Sequence, residues 1–148
     1  MTKTAGSGPA EKRPSAPPEK ADDLQIEART RWGRTKAYRQ SRERTAKFSK
    51  EDRQRISAEA DANMEALAAL LAFGKTPDDP EVQVEIARHH ADIERFYDCP
   101  MKMYRGLAEM YLADRRFADH YRRYHPELPE FLAAAMNVFC DREERRTR

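Results

Sequence analysis

The chain has little of what most catalytic and metal-bearing proteins are built from. Its 148 residues include two cysteines, four histidines, one tryptophan and five glycines. Cys99 and Cys140 lie far apart with no cysteine framework around them, so both are expected to be free thiols. Neither a Cys-x-x-Cys nor a His-Glu-x-x-His occurs. His89 and His90 are adjacent, so on a helix they diverge, and His120 and His125 have no thiol or carboxylate at ligand spacing. No metal site and no cofactor are expected from this pattern. No apolar run reaches the ~18 residues that span a membrane, and the N-terminus lacks an apolar leader, so the expectation is a cytoplasmic protein with no membrane contact. No segment alternates apolar and polar residues as a half-buried strand does. No repeat of about 20–50 residues suggests a solenoid.

What is present is polar and unevenly charged. Net charge is +2, yet residues 29–55 hold many of the 28 Lys and Arg against only Glu43, Glu51 and Asp52. Residues 78–94 lean acidic through Asp78, Asp79, Glu81, Glu85, Asp92 and Glu94. The surface is therefore dipolar rather than basic. Gly6, Ser7, Gly8, Pro9, Pro14, Ser15, Pro17 and Pro18 make residues 1–21 too polar to offset the entropy of ordering, so this segment reads as a disordered tail. Residues 22–141 read as one helical domain, and 142–148 as a frayed charged tail.

Six or seven helices are expected. A short one over 22–32 ends at Gly33. Thr35 caps a second over 36–48, whose Tyr38, Ser41, Thr45 and Phe48 share one face, with Lys36, Arg39, Glu43 and Lys47 on another. Ser49 caps a third, with Glu51 and Asp52 at the positive end of its dipole, a stripe of Ile56, Ala60, Met64, Leu67 and Leu71, and Gly74 as its stop. Asp79 caps a fourth with Pro80 at its first position, striped by Val82, Ile86, His89 or His90, Ile93 and Tyr97. Pro100 opens a fifth bearing Met103, Leu107, Met110 and Tyr111. Asp114 caps a sixth with Phe117, Tyr121 and Tyr124. After His125-Pro126 a last helix carries Leu128, Phe131, Leu132, Ala135, Val138 and Phe139.

Three features could carry chemistry. Cys99 sits near a helix start, which favours the thiolate, but Asp98 and burial oppose it, so a thiol of ordinary reactivity is expected. The Arg-rich segment could hold phosphates, yet Glu43 interrupts it and its charges lie away from Tyr38, Thr45 and Phe48, as on a solvated helix face. The stretch 97–124 is richer in Tyr and Met than packing alone requires. Tyr offers a polar tip on an apolar body and Met adapts its shape, a mixture suited to a groove for a large, partly apolar ligand.

A resemblance narrows the choice. Arg31-Trp32-Gly33-Arg34-Thr35-Lys36-Ala37-Tyr38-Arg39-Gln40-Ser41, then Phe96-Tyr97-Asp98-Cys99 followed by Met103, then Gly106-Leu107-Ala108-Glu109-Met110-Tyr111-Leu112-Ala113-Asp114-Arg115-Arg116-Phe117 resemble, in that order, the motifs of the TipAS antibiotic-recognition domain of MerR-type regulators. The resemblance implies an all-α, globin-like fold with a ligand cleft, N-terminal helices that order when ligand arrives, and a thiopeptide-like or other large antibiotic as partner. It points to Trp32, Tyr38, His90, Tyr97, Cys99, Met103, Tyr111, Phe117 and Tyr121 as ligand-binding residues. Family members can trap a dehydroalanine-bearing thiopeptide through a cysteine; Cys99 matches one family cysteine, whereas a second, seven residues on, is Gly106 here, which implies reversible binding if capture depends on that second position. The expected role is a drug-sequestering or drug-sensing module, stand-alone or the effector part of a regulator, and not an enzyme. The alternative is a nucleic-acid-associated protein using residues 29–55.

Overall fold

The computed structural model describes residues 36–147. The expected helix over 22–32, Trp32 and the N-terminal tail lie outside the described residues. Six helices follow one another, and no strand occurs among the described residues: α1 Lys36–Thr45, α2 Lys50–Ala72, α3 Pro80–Glu94, α4 Met101–Ala113, α5 Arg115–Arg122 and α6 Leu128–Arg146. None is long and apolar enough to cross a membrane.

Local chemistry sets most of the ends. Ser49 and Asp52 form a reciprocal capping box at α2, each side chain accepting from the other's backbone N–H at 2.9 Å. At the other end Gly74, at φ 91°, turns the chain out: its N–H donates to the Leu71 carbonyl and the Lys75 N–H to that of Leu70, both at 3.0 Å, which closes a Schellman motif. Asp79 caps α3 through the Glu81 N–H, with Pro80 at its first position. Asp114 alone separates α4 from α5, and its carboxylate accepts from the Arg116 N–H and pairs with that residue's guanidinium at 3.3 Å.

The most extensive packing is between α4 and α6. Tyr104, Leu107 and Ala108 of α4 and Leu132, Ala135, Met136 and Cys140 of α6 are all buried in one core. Leu67 of α2, Val82, Ile86 and Ile93 of α3, and Phe117 and Tyr121 of α5 complete it.

Two expectations about the elements need correction. The helix expected over 36–48 ends at Thr45, and its inward residues are Ala37 and Ser41. Tyr38 is 36% exposed, while Phe48 folds back in the following turn to meet Phe96 edge-on at 5.9 Å. One helical face cannot hold positions 38, 41, 45 and 48 inward once the chain leaves the helix at Thr45. The last helix continues past Cys140 to Arg146 rather than fraying. Arg105 of α4 binds Asp141 at 2.5 Å and Glu144 at 2.8 Å, and Arg146 binds Glu143 at 2.6 Å, so the charged turns are anchored to the neighbouring helix and to each other.

Candidate functional site

Between the second and third helices lies a narrow crevice of about 20 Å³, room for little more than one water. Ile56, Ser57, Ala60, Asn63 and Met64 of α2 form one wall, and His89, Asp92 and Ile93 of α3 the other. Phe96, just past α3, and Tyr121 of α5 close it. The positions recur at three- and four-residue steps on both helices, so each wall is one helical face. A wider trough of about 410 Å³ adjoins it, sharing Asn63 and Asp92 and bordered by Glu59, Ala66, Glu85, Arg88 and Arg95. An apolar slot therefore opens beside a charged rim, the usual composition of a small-molecule site.

Polar groups in the crevice are few and specifically held. The Asn63 amide nitrogen donates to both the carbonyl and the carboxylate of Glu85, each at 2.9 Å. His89 is 5% exposed, and burial lowers its pKa to about 3, so the ring is neutral at physiological pH. Its Nδ1 lies 2.7 Å from the Tyr104 hydroxyl, and its Nε2 is buried without a hydrogen-bond partner. Burial raises Asp92 to about 6 despite the opposing attraction of Arg95, whose Nε lies 3.5 Å from its carboxylate. Arg95 also pairs with Glu59 across the gap to α2. A neutral buried histidine and a carboxyl titrating near neutrality side by side in a crevice are the perturbed groups that functional sites concentrate.

Among the residues singled out from the sequence, Tyr121 lines this crevice. Tyr111 stands behind it, its ring 4.9 Å from that of Tyr121 and 5.7 Å from that of Phe117. Tyr97, Tyr111, Phe117 and Tyr121 are all buried in the core. His90 faces away from the crevice: its Nε2 donates to the Cys99 carbonyl at 2.8 Å, and its ring packs against Tyr104 and Phe139. Met103 is half-buried, and Trp32 lies outside the described residues. The structure thus brings the α4–α5 aromatics together behind the crevice and places His90, Cys99 and Tyr38 elsewhere. His89, Asp92, Asn63 and Phe96 were not singled out as site residues. The signal for His89 was present: Val82, Ile86, His89 and Ile93 form the buried face of α3, and His90 falls off it.

Cys99 is not a thiol of ordinary reactivity. It is buried, and burial with the nearby Glu94 carboxylate pushes its pKa up to about 12. Its backbone N–H donates to Glu94, while the neighbouring Asp98 turns outward to accept from Gln40 and Arg44 of α1. Other basic groups of the 29–55 segment are likewise occupied, Arg53 by the Thr45 carbonyl and Arg55 by Asp52. Among the described residues no group of three or more His, Cys, Asp or Glu could hold a metal ion.

Comparison with known proteins decides the family. The TipAS antibiotic-recognition domain matches residues 24–139. The chain belongs to that family. It is 39% identical over 117 residues to the transcriptional activator TipA of Streptomyces coelicolor, covering 78% of this chain and 46% of that protein. To the transcriptional activator mta of Bacillus subtilis it is 35% identical over 106 residues, covering 71% and 40%. The chain thus spans less than half the length of these relatives. A solved structure from Streptomyces lividans, nosiheptide in complex with TipAS, superposes with a TM-score of 0.71 at 36% identity, covering 82% of this chain and 86% of that one. Against the fold, the TipAS-like motifs fall largely on packing and capping positions: Ala37 and Ser41 under α1, Tyr97 and Cys99 at the α3–α4 junction, Leu107, Tyr111 and Phe117 in the core, and Asp114 at the α5 cap. They fix the frame, and the crevice is lined mainly by α2 and α3, with Phe96 of the second motif beside them.

Proposed function

We propose that this TipAS domain binds a bulky, largely apolar antibiotic of the thiopeptide kind, seated in the trough beside α2 and α3 and reaching into the apolar crevice that adjoins it. The observation that carries the reading is the crevice: apolar walls, two perturbed polar groups and a charged rim, in a chain 36% identical to a TipAS whose structure holds nosiheptide. Binding rather than turnover fits the chemistry, because the buried Cys99 thiol is held at about 12 and is a poor nucleophile at neutral pH. The biological role is drug sensing as the effector part of a regulator, or sequestration.

A thermal-shift titration with nosiheptide and other thiopeptides tests this. Ligand at 100 times its Kd stabilises the folded state by about 2.7 kcal/mol, worth several degrees in Tm for a domain of this size. The stabilisation is to persist in high salt. Absence of any shift across the panel, or a shift produced by nucleic acid and abolished by salt, contradicts the reading.

A further inference from the structure

The crevice walls carry two buried polar atoms without a hydrogen-bond partner, His89 Nε2 and Asp92 Oδ1, and the histidine is the one whose role the surrounding bonds fix. His89 sits on the buried face of α3, its Nδ1 engaged 2.7 Å from the Tyr104 hydroxyl on α4. A phenol is a stronger acid than a neutral imidazole, and an imidazole nitrogen a stronger base than a phenol oxygen. The short contact is therefore Tyr104 donating to Nδ1, with its 3.4 Å approach to the Ile86 carbonyl the weaker alternative. That fixes the proton of the neutral ring on Nε2, making Nε2 a donor. This N–H is buried and unpartnered in the wall of the crevice. A buried donor without a partner costs about 1–3 kcal/mol, a cost that an occupant with a matching acceptor removes.

Charge around the donor narrows the occupant further. Asp92, one turn along, has the Arg95 guanidinium 3.5 Å away to balance its charge but no hydrogen bond on Oδ1, so an anionic ligand meets a carboxylate, whereas a neutral ligand can offer Nε2 an acceptor and Oδ1 a donor. Phe96 and Tyr121 supply aromatic surface, and Ile56, Ala60 and Ile93 apolar wall. Resting on the functional reading above, we propose that the His89 Nε2–H is the polar anchor of the crevice and selects ligands presenting a neutral acceptor, an azole-type ring nitrogen or an amide carbonyl, on a flat apolar body. His89 acts as a hydrogen-bond donor held in one tautomer by Tyr104, so specificity resides in a core histidine rather than in surface charge.

The test uses ¹⁵N-labelled protein, read at the His89 imidazole, with two probes: nosiheptide and 2-phenylthiazole, a flat apolar molecule with one ring-nitrogen acceptor. The free protein is expected to show the Nε2-protonated tautomer, and either probe is expected to move the Nε2–H resonance along with the Ile56 and Ile93 methyls. Ala60→Leu, which fills the crevice from the α2 wall and leaves the His89 side chain itself unchanged, is expected to weaken 2-phenylthiazole at least tenfold and suppress the His89 shift. His89→Phe is expected to do the same if it folds; the Ala60 variant and the wild-type resonances decide the matter if it does not. Nosiheptide binding that leaves the His89 resonances unmoved overturns the anchor and spares the functional reading. A His89 response to 2-phenylthiazole without nosiheptide binding supports the anchor and counts against the functional reading. No response to either probe, or an Nδ1-protonated ring, overturns the anchor.

Discussion

Replacing Asp92 with Asn is expected to stabilise the domain at neutral pH. The carboxyl titrates near 3.8 when unfolded and near 6 when folded, because burial outweighs the attraction of Arg95. As pH rises through 3.8 the unfolded chain releases its proton; the folded chain keeps it to about 6. Between those values the folded state binds the extra proton, so stability falls as pH rises, and the full cost stands above about 6. At about 1.36 kcal/mol per pKa unit the difference corresponds to about 3 kcal/mol at pH 7.5. The side chain is 21% exposed, so little of that is screened by water. The amide keeps the shape but loses the Arg95 pairing, so a net gain of about 1–3 kcal/mol is expected at pH 7.5, shrinking below about 1 kcal/mol at pH 4. Urea unfolding of both proteins at the two pH values measures it. Asp92→Asn less stable than the wild type at pH 7.5, or a gain of equal size at pH 4, refutes the account of this carboxyl. The gain would also identify Asp92 as a group retained at a cost to stability, as functional-site groups often are.

Other expectations follow from the same geometry. Leu67→Ala, at a fully buried α2 position, is expected to lose about 2–5 kcal/mol by chemical denaturation; a loss under about 1 kcal/mol would mean that α2 is not packed on the core. Folded protein at pH 8 is expected to leave Cys99 unmodified by iodoacetamide until the chain is unfolded, since its thiol is held near 12; alkylation at the rate of a free thiol would contradict this. Arg44→Ala breaks the tie from α1 to Asp98, whose side chains are 34% and 58% exposed, so global stability is expected to change by less than about 1 kcal/mol. Amide exchange in residues 36–45 is nonetheless expected to accelerate, because α1 buries only Ala37 and Ser41. Exchange there as slow as in residues 56–71 would count against a loosely held α1.

The sequence is most readable where a local rule acts alone. Ser49, Gly74, Asp79, Pro80 and Asp114 each mark a helix end through backbone chemistry within a few residues, and each stands where that chemistry puts it. Family motifs led to a TipAS-type frame because they consist of its packing and capping residues. The candidate site was harder to see for the same reason. Motif aromatics such as Tyr97 and Phe117 are core, whereas the crevice lies between facing residues of α2 and α3, a feature of tertiary spacing that no periodicity encodes. Adjacent His89 and His90 illustrate the difference: one residue of helical rotation, about 100°, puts one in the crevice wall and the other against Cys99 and Phe139. The length of α6 was misread because its charged end is held by Arg105, more than thirty residues away.

The central claim, that a large apolar antibiotic occupies the trough beside α2 and α3 and reaches into the adjoining crevice, is tested most directly by mapping methyl and amide resonance changes as nosiheptide is added. The account predicts changes concentrated on Ile56, Ala60, Met64, Ile93 and Phe96, spreading to Ala66 and Ala91 along the trough. Saturating nosiheptide that leaves these resonances in place, or moves a set centred on α6 instead, would contradict it.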